Sequence, residues 1–591
     1  MRFPVPTPAG PRALTPFALL RAGLLLLGVV CAAPVQARIE VEISGIGGGE
    51  KENVEARLGI LAAAGQPDLD QLLVDGLHAR ADGEIRQALQ PFGFYNPEIE
   101  SRLEGEAPNW KAYYRVTLGP PTILTEIDVR VEGEGSEEEA FRREFRRFPM
   151  RKDQRVIHAD YEEVKTRFAT AAYAQGYLDA RYTRSELRID PMRHTAEVHL
   201  TLETGPRYFF GPVRVEQDIL DAGVAERYVR IEPGKPFDPQ AVLETQFALT
   251  DLEYFQSVEI EPQRAEVVDQ HIPILIRTTP RAKRKWDFGV GYGTDTGARV
   301  SAGTEVRRLN RDGHKLRLDT RFSEIKNTVS GEYRIPLGSR PGEYWGFGGA
   351  SETERYDDGE SLKYVLSTSL NRNNGDWQRK LYLNYEHEET ELSDLVRTSD
   401  LLIPGLTLSR SELNDEIHAR RGWSLYTDLH GAQKDILASA SFVQTHTILR
   451  GVLPYKRRGR VLLRGEYGAN IVADFDELPA SQRFFAGGDQ SVRGYSYQSL
   501  GPKDDQGNVI GGKYLATFSI ETDYFFWKNW GLAAFYDAGG ADDDTLPRLY
   551  QGIGAGLRYR APVGFLQLDL AHPLDGDASG LRLHFGVRVG L

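Results

Sequence analysis

The chain has 591 residues, with 72 Lys and Arg against 85 Asp and Glu, a formal net charge of −13. This length calls for several domains, and the acidic balance argues against a nucleic-acid binder, which needs a basic surface. With 40% hydrophobic residues the chain is too polar for a bundle of membrane helices, and its single cysteine, Cys31, excludes internal disulfides and thiolate metal sites.

Residues 1–37 read as a signal peptide. Arg2, Arg12 and Arg21 precede an apolar run from Ala22 to Ala33, and Val35-Gln36-Ala37 offers small residues for cleavage before Arg38. Beyond it no stretch approaches the length of a membrane helix. A mature chain that meets a membrane must do so as a β-barrel or a peripheral binder.

From Arg38 to Pro280 a small unit recurs, with expected domains at 38–119, 120–205 and 206–280. Each opens with a short alternating strand, passes through helical patterns and closes with two strands. The closing runs align as Arg115-Val116-Thr117-Leu118-Gly119-Pro120, Leu200-Thr201-Leu202-Glu203-Thr204-Gly205-Pro206 and Ile274-Leu275-Ile276-Arg277-Thr278-Thr279-Pro280. Gly93-Phe94-Tyr95, Gly176-Tyr177-Leu178 and Glu253-Tyr254-Phe255 hold equivalent places. Val164, Phe168, Ala171 and Ala172 give Tyr161–Ala174 an apolar helical stripe, and Gly176 sits where a left-handed helix end wants glycine. The predicted unit is an α+β domain of order β-α-α-β-β, and three in tandem resemble POTRA modules. That resemblance implies a periplasmic arm that receives extended segments by adding a strand to a sheet edge.

Residues 285–591 alternate apolar and polar positions with period two, as strands of a transmembrane barrel do. Leu581, Leu583, Phe585, Val587, Val589 and Leu591 alternate with Arg582, His584, Gly586, Arg588 and Gly590. Sixteen candidate strands start near residues 286, 297, 313, 326, 342, 361, 376, 406, 421, 434, 459, 512, 530, 550, 563 and 580. The eighth is the least regular, because 390–415 is polar and holds Pro404. Trp345, Trp423, Phe526, Trp527 and Trp530 fall near strand ends, where aromatic girdles mark membrane interfaces.

Most hairpins are short, but one loop, 475–511, is long enough to be functional. It contains Val492-Arg493-Gly494-Tyr495. If the loop tucks into the lumen, Arg493 needs a partner, since a buried unpaired guanidinium costs several kcal/mol. Asp537, in Phe535-Tyr536-Asp537-Ala538-Gly539, is the first candidate and Glu521 the second. Together with the three modules, these motifs resemble the BamA/TamA superfamily of outer-membrane assembly proteins. The resemblance implies that Arg493 pairs with Asp537 inside a sixteen-stranded barrel in the bacterial outer membrane.

Three modules, where other branches have five or two, point to the subunit of a translocation and assembly module that assembles outer-membrane proteins such as autotransporters. A TamB-like periplasmic partner is implied only by that resemblance. Gly289, Gly291 and Gly293 on the first strand, with Gly586 and Gly590 on the last, mark a weak seam, where the resemblance implies a lateral gate for client strands. The alternative is a two-partner secretion pore or a passive or receptor channel. No enzyme is expected. Gly552-x-Gly554-x-Gly556 lies on a strand with no following helix to hold a phosphate, His387-Glu388-Glu389 lacks a second zinc histidine, and there is no nucleophile elbow. No cofactor, metal or nucleic acid is expected.

Overall fold

The computed structural model describes residues 38–64, 69–295, 297–356, 359–392, 395–562, 564–575 and 580–588. The expected signal peptide, Cys31 and Gly590 lie outside the described residues. The chain divides into two compact units after Tyr208. No described helix is long and apolar enough to cross a membrane.

The first unit holds two three-stranded sheets of one design. Arg38–Ser44, Glu98–Glu106 and Asn109–Thr117 pair with the last strand in the middle, parallel to the first and antiparallel to the second. Ile123–Glu132, Arg181–Asp190 and Thr195–Glu203 repeat that order. In the first sheet's domain, helices Gly48–Arg57, Gly59–Ala63 and Gln71–Leu89 bury Val54, Ile85 and Leu89 against Trp110 and Tyr114. Asp70 caps the longest helix by accepting from the Leu73 N–H at 2.7 Å. In the second, helices Glu139–Arg146 and His158–Ala174 meet through Phe141 and Phe168, whose rings stack with centroids 6.3 Å apart.

The second unit begins with the third small sheet, Phe209–Glu216, Phe255–Pro262 and His271–Pro280, in the same order. This domain departs from the expected two helices. Only Pro239–Asp251 is α-helical, and the first helix is reduced to a 3₁₀ turn at Glu226–Tyr228. The intervening chain is committed elsewhere: Asp221 and Arg311 exchange bonds, Asp221 N–H to the Arg311 carbonyl at 2.9 Å and Arg311 Nε to Asp221 Oδ1 at 2.8 Å. The Tyr254 hydroxyl donates to the Gly313 carbonyl, so the same barrel turn is held twice. Gly93 and Gly176 adopt φ +83° and +88°, and the equivalent Glu253 takes φ +60° without being glycine.

The remaining strands form one sixteen-stranded antiparallel sheet in sequence order, from Arg284–Gly293 to Arg582–Arg588. On the first strand Trp286, Phe288, Val290 and Tyr292 are exposed, facing lipid, while the glycines between them face inward. Two of the sequence-predicted starts are displaced. The eighth strand is Leu395–Leu413, beginning well before 406. Its first half pairs only with Trp377–Leu392, and its second ladder starts at Gly405, just after Pro404, which has no N–H to give. That half is a ribbon, so membrane alternation does not govern it. The tenth strand starts at Phe442 and not near 434, because Asp435 and Leu437 take positive φ in a turn.

Every tryptophan except Trp110 lies at the barrel end nearest the third small domain. Trp286, Trp345, Trp377, Trp423 and Trp530 open odd-numbered strands, and Trp527 sits in the turn before one. Indole rings concentrate at a membrane–water boundary, so this row marks one leaflet's interface.

Truncating Phe168 to alanine should destabilise its domain by about 3–5 kcal/mol, the usual loss for a buried phenylalanine. Limited proteolysis of the purified protein should then cut within 123–203, while the heat-modifiable gel mobility of the barrel stays unchanged.

Candidate functional site

The long hairpin connects Gly459–Val472 to Tyr514–Phe525, at the end of the barrel away from the third small domain. It folds inward and holds opposite walls. On one side the Gln482 amide donates to Glu386 Oε2 at 3.2 Å, the Ser481 N–H donates to Glu388 Oε1 at 3.3 Å, and Gln498 donates to Glu354 at 3.3 Å. Gln444 and Asn470 both donate to the Gln482 carbonyl at 2.8 Å. The loop has its own small core, in which Val492 and Tyr495 pack with Phe484, Leu500, Leu515 and Ala541.

From this platform Arg493 enters a cage of carboxylates. Its Nε donates to Asp537 Oδ2 at 2.7 Å and one terminal nitrogen to Asp537 Oδ1 at 3.0 Å, a two-pronged bond. The other terminal nitrogen reaches Glu521 at 2.7 Å and Asp569 at 3.0 Å. The Arg493 backbone N–H also donates to Asp537, at 3.1 Å. The guanidinium carbon lies 3.4 Å from the centre of the Phe535 ring, which supplies its apolar floor. A second guanidinium, that of Arg558, donates to Glu521 at 2.9 Å and also to Asp569. Two cations thus share three carboxylates, and all five side chains are buried.

The flanking motif residues make this approach possible. Gly494 adopts φ +100°, and a side chain there would press on the Pro573 backbone. The Tyr495 hydroxyl donates to the Asp575 carbonyl at 2.8 Å. A methyl at Gly539 would stand 2.7 Å from the Ala516 carbonyl, so that glycine keeps neighbouring strands close.

Arg558 and Asp569 escaped the sequence reading, although Asp569 was visible as an inward polar position between Leu568 and Leu570. The missed signal was Gly552-x-Gly554-x-Gly556. Side chains there would collide with the Arg493 backbone, the Phe535 ring and Asp569 respectively. Those glycines hollow out the wall for the loop.

The expected seam residues lie where the sheet's two edges face one another. Among the described residues no ladder joins the first strand to the last. They meet at Thr294, whose N–H donates to the Phe585 carbonyl at 3.3 Å and whose hydroxyl accepts from the Phe585 N–H at 3.3 Å. Gly289, Gly291 and Gly293 line the inner face of one edge, and Gly586 sits on the other.

An antiparallel barrel of sixteen strands, carrying small α+β domains ahead of it and an arginine-anchored loop within it, defines an outer-membrane protein with periplasmic modules. Comparison places it more narrowly. Residues 284–588 match the Omp85 superfamily domain, and residues 40–118 match the description "POTRA domain TamA domain 1". The chain belongs to the Omp85 superfamily. It is 23% identical over 458 residues to the outer membrane protein assembly factor BamA of Nitratidesulfovibrio vulgaris, covering 72% of this chain and 55% of that one. It is 22% identical over 493 residues to BamA of Neisseria meningitidis, covering 70% and 59%. The chain therefore spans little more than half the length of these relatives. The crystal structure of Haemophilus ducreyi BamA lacking POTRA domains 1–3 shares the fold at a TM-score of 0.65 and 18% identity, over 79% of this chain and 99% of that chain. The protein is located in the bacterial outer membrane, with its POTRA domains in the periplasm.

Replacing Arg493 by alanine strands three buried carboxylates on one remaining cation, a loss of about 3–5 kcal/mol for a broken buried pair. Protease cleavage within 473–513 of the detergent-purified barrel should rise steeply. Arg493→Lys should fall between alanine and wild type, because an ammonium keeps the charge and loses the two-pronged fit.

Proposed function

We propose that this protein is the outer-membrane subunit of a translocation and assembly module, which assembles outer-membrane proteins such as autotransporters through a lateral gate. The observation that carries the reading is the seam. Fifteen neighbouring strand pairs are joined by ladders, whereas among the described residues the two edges of the sheet bond directly only between Thr294 and Phe585. An unladdered edge presents backbone donors and acceptors that a client strand can satisfy, with little dependence on its side chains. Opening costs few bonds, and inward-facing Gly289, Gly291 and Gly293 add little side-chain packing. The client leaves sideways into lipid and no covalent step occurs.

The arm supports the finer assignment. Three small sheets precede the barrel, and the first corresponds to a TamA-type POTRA domain. In this reading the arm delivers clients and docks a TamB-like periplasmic partner. A secretion pore or open channel needs a path through the lumen, and the inward loop is tied to both walls across that path.

The test is a disulfide across the seam. Continuing the antiparallel register from Thr294 and Phe585 sets Tyr292 beside Val587, so Tyr292→Cys with Val587→Cys should cross-link on oxidation. Oxidised cells should lose assembly of an autotransporter client and regain it on reduction. Efficient cross-linking with assembly intact would overturn the gate.

A further inference from the structure

One residue of the inward loop does not belong to the Arg493 cage. Asp489 lies four positions before Arg493, and its surroundings come from both edges of the seam. The Thr294 hydroxyl, just past the first strand, donates to both Asp489 carboxylate oxygens at 3.3 Å. The Asp489 N–H donates to the carboxylate of Asp295. From the other edge His584, on the last strand, places its Nδ1 against Asp489 Oδ1. His584 Nε2 accepts the Gly494 N–H at 3.0 Å.

These contacts fix the state of the histidine. A ring nitrogen that accepts a backbone N–H carries a lone pair, so the proton of the neutral ring sits on Nδ1 and is donated to Asp489. The imidazole is thus gripped by the loop at both nitrogens, and it is buried. The same bonding pattern disfavours a cation held among Asp295, Asp489 and His584. A metal on Nδ1 would need that proton gone and Nε2 protonated against the Gly494 N–H.

We propose that Asp489 is a clasp for the barrel seam, a positioning residue through which the inward loop holds the first and last strands together. The clasp deepens the gate reading and rests on it for its biological meaning, but closure itself can be measured without a client. Arg493 and Asp489 sit on one short stretch of loop, so the anchored loop carries the clasp to the seam. Opening requires the seam to let go of Asp489, or the loop to move with one edge.

The test uses the full-length protein in liposomes, with the Tyr292→Cys and Val587→Cys pair reporting closure as the rate of disulfide formation. Losing a charge-assisted hydrogen bond worth one decade in the closure equilibrium should lower that rate in Asp489→Ala, by at most about tenfold. His584→Ala should also lower it, and the double variant should fall short of the sum of the two, because both single variants remove the bond they share. Asp489→Asn keeps an oxygen acceptor and should recover most of the rate. The exposed loop acid Asp505, changed to asparagine, should have no effect. Proteolysis of the loop should stay at the wild-type level in Asp489→Ala, showing that the Arg493 anchor holds. A rate unchanged in Asp489→Ala and His584→Ala overturns the clasp, as does a rate that falls on adding EDTA to the wild type, which would assign the bridge to a metal. A loosened seam with client assembly unaltered would keep the clasp and count against the gate.

Discussion

The Arg493 guanidinium has to be neutralised inside a barrel, and much of the upper structure follows from that requirement. A cation as buried as Arg493 has little access to water, so it needs carboxylates within hydrogen-bond reach. Asp537, Glu521 and Asp569 supply them from three different strands. Three carboxylates together would repel, and Arg558 separates two of them. Bringing the loop backbone that close to the wall requires the bare position at Gly552, and Gly554 and Gly556 leave room for the Phe535 ring and Asp569. The long loop, the charged wall and the glycine run are parts of one solution.

Much of this architecture was legible in the sequence, because period-two alternation survives wherever one face meets lipid and the other water. It failed where that contrast vanishes. The first half of Leu395–Leu413 stands in a ribbon paired on one side, and the turn before Phe442 has no membrane face. The third small domain lost a helix to its contact with the barrel turn at Arg311, which no local pattern in 217–238 announces. The Arg493–Asp537 pair was readable because a motif and a burial argument both demanded a partner. Arg558, Asp569, Asp489 and His584 were not, since each depends on strands distant in sequence and adjacent only after closure. The sequence places the glycines at 552, 554 and 556 on a strand with no phosphate to hold, and their meaning lies entirely in what approaches them.

The seam and the loop answer opposite demands with the same chemistry. The loop is fixed by charge-assisted bonds in a water-poor site, where each is strong and removing one partner is expensive. Among the described residues the seam has few bonds, and those that cross it run largely through the loop. Strength is concentrated where the loop is anchored and withheld where the sheet ends.

The junction of the third small domain with the barrel has a mechanical consequence. The strand His271–Pro280 runs through Arg281 into the first barrel strand, and Tyr254 and Asp221 grip the turn between the second and third strands. A torque applied to that domain is therefore delivered to three successive strands at one margin of the sheet, the margin that borders the seam. The domain is a handle bolted to the edge of the sheet.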